Sequence, residues 1–356
     1  MKSNNCRKSN IELYRIIIML LIIAHHYVVN SGLINANGPI LLSPRNYKSI
    51  FLLLFGAWGK IGINCFVLIT GYFMCKSNIT LKKFLKLFLI VIFYNVVISM
   101  FFWITGYDSF SLKTLIKCFL PITEVTTNFT GTYLLFYLCI PFLNILIKNM
   151  NQRQHELLLI WCSCIYVVFG TIRKSGILMN YVTWYIILYF IASYIRLYPK
   201  KIYKNKQVLG LITLVSIFLS ALSVVILSFV YSKFGITPYY FVTDSNTFLA
   251  VVVSVSSFLF FINLDLGQNK IINTISATTF GILQIHTNSD LMRKFLWEDI
   301  FKNVKMFQSS YCYMHAICAV ICVFVVCSII DIIRIKLIER PVLEFYDKKM
   351  LSFKKN

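Results

Sequence analysis

Long apolar stretches and short polar connections alternate along the whole chain. Ten of the stretches approach the length of about 20 mostly apolar residues that crosses a bilayer as a helix. We therefore predict an all-α fold, a polytopic transmembrane bundle of about ten helices that forms a single integral membrane domain over residues 1–356. The predicted spans cover residues 11–30, 50–75, 84–104, 132–149, 157–172, 181–198, 208–231, 247–264, 272–289 and 311–333.

The composition excludes a soluble domain. Of the 356 residues, 58% are hydrophobic and only 13% are charged, and the mean hydropathy is +0.74. Such a balance is typical of a polytopic membrane protein. The eleven cysteines form no CxxC pair and have no regular spacing. We therefore expect them to act as small hydrophobic residues, and we predict neither disulfides nor a metal site.

The net charge of +22 could suggest a nucleic-acid partner, but the basic residues lie between the apolar stretches. Of the 35 Lys and Arg residues, 22 fall on the side of the termini, 11 fall on the other side, and Arg15 and Lys60 lie within spans. This bias predicts a multi-pass protein of the cell membrane with both termini in the cytoplasm. We expect the basic flanks to contact anionic lipid or phosphate, and we expect no nucleic-acid partner.

The first span contains four ionisable residues, Glu12, Arg15, His25 and His26. Such groups cost several kcal/mol inside a bilayer unless they are paired or hydrated. Arg15 and His26 are eleven positions apart, which places them on nearly the same helical face, about 16 Å apart along the axis. We expect them to face one cavity from different depths, Arg15 as a fixed cation and His26 as a proton acceptor. Alternatively, Glu12 pairs with Arg15 near the interface, and the histidines cap the outer end of the helix.

Further motifs follow in order along the chain. They are GKIGINCFVLITGYFM in the second span, FYLCIPFLN in the fourth, TWYIILYFIASYIRLY in the sixth and FGILQIH in the ninth. Together with the Arg15–His26 spacing, this ordered set resembles the membrane-bound acyltransferase 3 family over nearly the whole chain. It is most similar to the branch that acylates sugars of surface polysaccharides. The resemblance implies an acyl-CoA donor, usually acetyl-CoA, a saccharide hydroxyl as acceptor, and a catalytic site containing His26 and Arg15.

The chain departs from the family pattern after the second span. Many members have an Arg-x-x-Arg pair there, whereas this chain has Lys83 and Lys86. Lysine keeps the charge but lacks the bidentate fork of arginine. With the resemblance, we expect contacts with the phosphates of CoA from Lys76, Lys82, Lys83 and Lys86. These lysines also suit the ordinary role of positive flanks that extend to the membrane interface.

Three residues are further candidates for acceptor binding. Lys60 is a cation among glycines spaced three apart, which permit close helix packing. Trp184 suits stacking on a sugar, although such aromatic residues also form interface belts. His286 is either a site residue or a hydrogen-bonding group between helices.

Two other functions compete with acyl transfer. A polytopic glycosyltransferase that uses lipid-linked sugars needs acidic residues in an outer loop, and the first two predicted outer loops contain only Asp108 and Glu124. A non-enzymatic carrier or flippase of anionic lipid-linked saccharides would use the intramembrane cations, but it would not require His26 at this spacing from Arg15. The sequence therefore favours an O-acetyltransferase. It leaves open the acceptor hydroxyl, the acyl chain, the choice between general-base and acyl-histidine routes, and the oligomeric state.

Overall fold

The computed structural model describes residues 8–121, 129–172 and 180–353, with side chains up to Asp347. In these ranges all regular secondary structure is helical, which confirms the predicted all-α class. The first half contains α1 (Ser9–Val29), α2 (Pro39–Leu42), α3 (Tyr47–Gly56), α4 (Gly59–Met74), α5 (Leu81–Ile104), α6 (Leu112–Phe119), α7 (Phe129–Asn149), α8 (Gln152–Cys162) and α9 (Phe169–Thr171). The second half contains α10 (Tyr181–Leu197), α11 (Lys206–Phe234), α12 (Phe248–Ile262), α13 (Lys270–Ser276), α14 (Thr279–His286), α15 (Asp290–Lys294), α16 (Asn303–Gln308), α17 (Cys312–Arg334) and α18 (Arg340–Phe353).

Seven segments of the described ranges are long and apolar enough to cross a membrane. They are Ser9–Val29, Tyr47–Met74, Leu81–Ile104, Phe129–Asn149, Gln152–Thr171, Lys206–Phe234 and Cys312–Asp347. Two further apolar helices, α10 and α12, are shorter, with 17 and 15 residues. The chain is thus a multi-pass membrane bundle. Helix α1 lies inside it and packs against α3, α4, α12, α13, α14 and α17.

Helices α1 and α4 run in opposite directions and in close contact. A Cβ atom at Gly59 would stand only 2.3 Å from His25 Cγ, so a residue without a side chain is needed where the two helices meet. Farther along α4, Thr70 lines a cavity together with Arg15, which lies near the start of α1. The bundle therefore has two ends, named here the Arg15 end and the His26 end.

The predicted ninth span is not one helix over residues 272–289. It is divided into α13 and α14, and polar side chains bond to other helices around the break. Ser276 donates to the Glu12 carboxylate, and the Thr278 hydroxyl lies 2.9 Å from that of Ser328. A break at membrane depth is tolerated where the protein itself satisfies the freed polar groups. These contacts explain why a continuous helix is not needed here.

The packing of α14 against α17 also depends on a glycine. A Cβ atom at Gly281 would stand 2.1 Å from the carboxyl carbon of Asp331. That carboxylate cannot move away easily, because Tyr94 donates to it at 2.6 Å and Arg334 Nε at 2.7 Å. The absence of a side chain at Gly281 therefore determines how closely α14 approaches α17.

We expect Gly281→Ala to destabilise the purified protein by about 1–3 kcal/mol, the usual cost of overpacking a tight interior. Thermal unfolding in detergent, followed by size-exclusion chromatography, measures the loss. The matched control is Gly267→Ala, because a Cβ atom there meets nothing within 4 Å. Equal melting temperatures for the two variants would contradict the proposed tight contact.

Candidate functional site

Two histidines from distant parts of the chain meet inside the bundle. His26 Nδ1, near the end of α1, lies 3.0 Å from His286 Nε2, at the end of α14. The side chain of His286 is fully buried, and its Nδ1 lies 2.6 Å from the backbone oxygen of Ile282. The pair thus joins α1 to the helix that follows the break in the ninth span.

These hydrogen bonds determine which ring nitrogens carry protons. The Ile282 carbonyl can only accept, so Nδ1 of His286 carries a proton and donates to it. In a neutral ring the other nitrogen, Nε2, is then an acceptor, and His26 Nδ1 must donate to it. Neutral His26 is consequently left with its lone pair on Nε2. This is the tautomer in which Nε2 can take a proton from a substrate.

His26 lines a cavity of about 140 Å³, which we call the histidine cavity. His25 lines it too, and His25 Nδ1 lies 2.6 Å from the Gly56 carbonyl, at the junction between α3 and α4. The other lining residues combine apolar and aromatic side chains with two cations: Ile22, Gly59, Lys60, Ile63, Phe66, Phe129, Tyr181, Tyr185, Leu283, Thr287 and Arg293. None of these described lining residues is acidic.

Arg15 lines a second cavity, also of about 140 Å³, which we call the arginine cavity. Its other walls are Met19, Phe66, Thr70, Leu87, Phe129, Tyr133, Thr279, Phe280 and Leu283. Arg15 Nη1 lies 3.8 Å from the Glu12 carboxylate, so the ion pair of the alternative interpretation is present. Arg15 Nε is buried, and no described residue forms a hydrogen bond with it.

The two cavities adjoin each other. Phe66, Phe129 and Leu283 line both of them. Arg15 and His26 therefore face neighbouring chambers rather than the one cavity expected from their spacing. The three shared apolar side chains lie at the boundary between the chambers.

A third chamber of about 140 Å³ meets the histidine cavity at Thr287, which lines both. Lys117 adds a cation to this chamber, but most of its lining residues carry an amide or a hydroxyl group, so we call it the polar cavity. These residues include Asn95, Ser99, Thr114, Thr130, Gln284, Asn288 and Ser289. Such groups donate and accept hydrogen bonds without a charge, as binding of a sugar requires.

The structure separates the three residues predicted to bind the acceptor. Lys60 lines the histidine cavity, and its Nζ donates to the Tyr181 hydroxyl at 2.7 Å. His286 does not line it and lies behind His26. Trp184 is fully buried, and its indole donates to Asn64 at 2.9 Å, so its ring has a structural position away from the cavities.

The four lysines expected to contact CoA lie near the Arg15 end. Lys76 is exposed just after α4, and Lys83 Nζ donates at 3.0 Å to Ser77 and to the carbonyl of Asn78. The other two lysines form ion pairs with carboxylates near the C-terminus: Lys82 with Asp347, and Lys86 with Glu339. Leu87, the residue after Lys86, lines the arginine cavity.

Sequence reasoning did not single out two of the residues that line the histidine cavity, Tyr181 and Arg293. Tyr181 lies on the same helix as Trp184 and Tyr185, and the exposure of each side chain to the cavity depends on how α10 is rotated. Arg293 belongs to a short helix, α15, in the connection between the ninth and tenth predicted spans. No sequence signal for Arg293 was available, because a basic residue beside Asp290 is typical of a solvated surface.

The fold and these cavities define a multi-pass membrane protein with internal chambers around a histidine pair. The profile of the acyltransferase 3 family, described as an acyltransferase domain, matches residues 8–332. The chain therefore belongs to this family and is a membrane acyltransferase. Comparisons with curated proteins and with solved structures return no match.

We predict that His286→Leu lowers the rate of acyl transfer roughly 10- to 100-fold, less than the 10²–10⁴-fold that a general base supplies. Leucine cannot accept from His26 Nδ1, so neutral His26 can place its proton on Nε2 instead. The measurement is the rate at saturating donor, together with donor affinity, which should not change.

Two further variants test this role of His286. His286→Gln keeps an acceptor oxygen and should recover part of the lost rate. His315→Gln is the control, because His315 bonds to Tyr27 and lines none of the three cavities. A leucine variant with the wild-type rate would show that His26 does not need His286.

Proposed function

We propose that the protein transfers an acetyl group from acetyl-CoA to a hydroxyl of a cell-surface polysaccharide or of its lipid-linked precursor. The observation that carries this proposal is that Phe66, Phe129 and Leu283 line both the arginine cavity and the histidine cavity, so the two cavities share an apolar boundary. A donor held at the Arg15 end could then reach His26 through the bundle. Family membership supports acyl transfer over the alternative of a lipid carrier.

The arginine cavity suits the neutral part of the donor. Most of its walls are apolar or aromatic, and a pantetheine arm with its thioester is long, thin and uncharged. Arg15 Nε has no hydrogen-bond partner within the described residues, so it is available to donate to one of the arm's amide carbonyls. In the proposal the arm passes Arg15, and the acetyl group enters the histidine cavity between the three shared apolar side chains.

The lysines of α5 suit the anionic part of the donor. Lys83 and Lys86 precede Leu87, which lines the arginine cavity, by one turn or less. Lys86 pairs with Glu339 at 2.5 Å, so a phosphate of CoA would replace that carboxylate. Because CoA is cytosolic, the proposal places the Arg15 end and both termini in the cytoplasm.

The acceptor is proposed to approach from the other side of His26. The polar cavity adjoins the histidine cavity at Thr287, and its amides and hydroxyls match the hydroxyls of a sugar. Tyr181 and Tyr185 add aromatic surface beside His26, which sugars commonly pack against.

The proposed reaction uses the lone pair on His26 Nε2. His26 takes the proton of the acceptor hydroxyl as its oxygen bonds to the thioester carbonyl carbon. The resulting tetrahedral intermediate collapses, the carbon–sulfur bond breaks, and the imidazolium of His26 returns the proton to the CoA sulfur. The products are the acetyl ester and CoA. The alternative route forms an acetyl-histidine at the same nitrogen and then transfers it.

We expect His26→Gln to reduce acetyl transfer by about 10²–10⁴-fold, because glutamine cannot act as a base near neutral pH. Binding of CoA should remain, since the lysines and Arg15 are untouched. Mass spectrometry of surface glycans from cells carrying each variant measures the acetyl increment, and isothermal calorimetry measures CoA affinity.

His25→Gln is the neighbouring comparison, and its effect should be milder. His25 bonds to the Gly56 carbonyl rather than to another side chain, and glutamine can replace that donor. Transfer at the native rate by His26→Gln would disprove the assignment of His26 as the base.

The double variant Lys83→Gln/Lys86→Gln should raise the dissociation constant of CoA at least tenfold, a change of about 1.4 kcal/mol. Its maximal rate at saturating donor should change much less, since neither lysine reaches the histidine cavity. The matched control is Lys201→Gln/Lys204→Gln, which removes two exposed charges after α10. If both double variants bind CoA equally well, α5 does not hold the phosphates.

A further inference from the structure

The histidine cavity has two permanent cations and no described acidic residue. Lys60 comes from the start of α4, and Arg293 comes from α15, so both helices direct a positive side chain toward His26. Cations within a membrane bundle are costly unless an anion or water compensates them. The cavity therefore has a positive charge that the described protein does not neutralise.

Lys60 is not neutralised by any described carboxylate. Its Nζ donates to the uncharged hydroxyl of Tyr181 at 2.7 Å, and it forms no ion pair within the described residues. A phenol satisfies one of the three ammonium donors. The remaining donors are available to a ligand in the cavity.

Arg293 is only partly engaged. One of its terminal nitrogens lies 2.5 Å from Asp290, but the Asp290 side chain is 96% exposed, so solvent screens this pair strongly. The Nε atom of Arg293 is buried and has no hydrogen-bond partner among the described residues. The guanidinium fork matches the two oxygens of a carboxylate or phosphate group.

A second unpartnered polar atom belongs to the same cavity wall. The Tyr185 hydroxyl is buried and has no hydrogen-bond partner in the part of the chain that the structure describes, although Tyr185 lines the cavity. Buried polar groups are nearly always paired, and an exception indicates a missing partner. Together with Arg293 Nε, this hydroxyl indicates a polar ligand close to His26.

Other cations within the described bundle differ from these two. Arg334 contacts both Asp331 and Glu339, and Lys48 Nζ donates to three carbonyls at the end of α16. Those cations have complete protein partners and structural roles. Arg15 Nε also lacks a described partner, but Arg15 lines the arginine cavity and pairs with Glu12. Among the described residues, Lys60 and Arg293 are therefore the incompletely partnered cations beside His26.

We infer that the acceptor is an anionic saccharide, a uronic acid or a phosphorylated sugar, whose charged group binds Lys60 and Arg293. This inference rests on the proposed function, because it names the substrate class for the same site. The charged group fixes the sugar in the cavity, and a nearby hydroxyl is then presented to His26. A neutral sugar of the same size would leave Lys60 without a counter-charge, and Arg293 with only the exposed carboxylate of Asp290, among the described residues.

The test measures thermal stabilisation of the purified protein by three probes: methyl glucuronide, glucose 1-phosphate and methyl glucoside. At least one anionic probe should bind about tenfold more tightly than the glucoside, which corresponds to one charge-assisted hydrogen bond. Comparison of the two anionic probes distinguishes a carboxylate from a phosphate. Equal or absent stabilisation by all three probes would overturn the inference.

Four variants test whether Lys60 and Arg293 cause the preference for an anionic probe. Lys60→Met and Arg293→Gln should each abolish it, Lys60→Arg should retain part of it, and the neighbouring Lys294→Gln should leave it unchanged. Affinity for CoA should be the same in all four variants. A preference that survives both Lys60→Met and Arg293→Gln, or a loss of CoA affinity instead, would overturn the inference.

Measurements of probe binding and of acetyl transfer distinguish a failure of this inference from a failure of the proposed function. His26→Gln should bind the preferred anionic probe like the wild type, because it keeps both cations. If the wild type prefers an anionic probe but transfers no acetyl group to any saccharide, the proposed function fails while the anion preference remains. If Lys60→Met and Arg293→Gln slow transfer without any change in probe affinity, the cations stabilise the reaction's oxyanion, and the inference fails while the proposed function remains.

Discussion

The site depends on one hydrogen bond, between His26 Nδ1 and His286 Nε2. This bond forms because α1 and α14 come close together. His26 is its donor because the Ile282 carbonyl keeps the proton of His286 on Nδ1. A backbone carbonyl is a reliable partner for this purpose, since it can never donate. The main chain therefore sets the tautomer of His26 through the ring of His286. The only requirement on the His286 ring is that it is neutral.

Interruptions in two predicted spans make this arrangement possible. The chain leaves the helical path between α3 and α4 and again between α13 and α14, and both breaks border helix α1. At membrane depth such breaks need protein partners for their polar groups. His25 bonds to the Gly56 carbonyl at the first break, and Ser276 bonds to Glu12 at the second. The polar residues of α1 thus have two tasks, to support the breaks and to form the site.

Much of the fold and part of the candidate site were predictable from the sequence, and the features that could not be predicted have physical causes. The helical period placed Arg15 and His26 on one face, and the apolar stretches gave the helical class. The division into two chambers depends on the side chains of three other helices, which periodicity within α1 cannot describe. Similarly, Trp184 and Tyr185 are adjacent, and only the packing of α10 determines that Tyr185 faces the cavity while Trp184 bonds to Asn64.

The distribution of charge has an energetic consequence for where the charged groups of the proposed donor and acceptor bind. Cations lie at the Arg15 end and again beside His26, whereas the boundary that the two cavities share consists of Phe66, Phe129 and Leu283. An anion would lose most of its hydration on crossing this apolar boundary, at a cost of several kcal/mol, but a thioester would not. The phosphates of the donor would therefore stay at one end, and the charged group of the acceptor would stay at the other. Only the uncharged acetyl group has to pass between them, so the bundle need not open a path for any ion in order to transfer it.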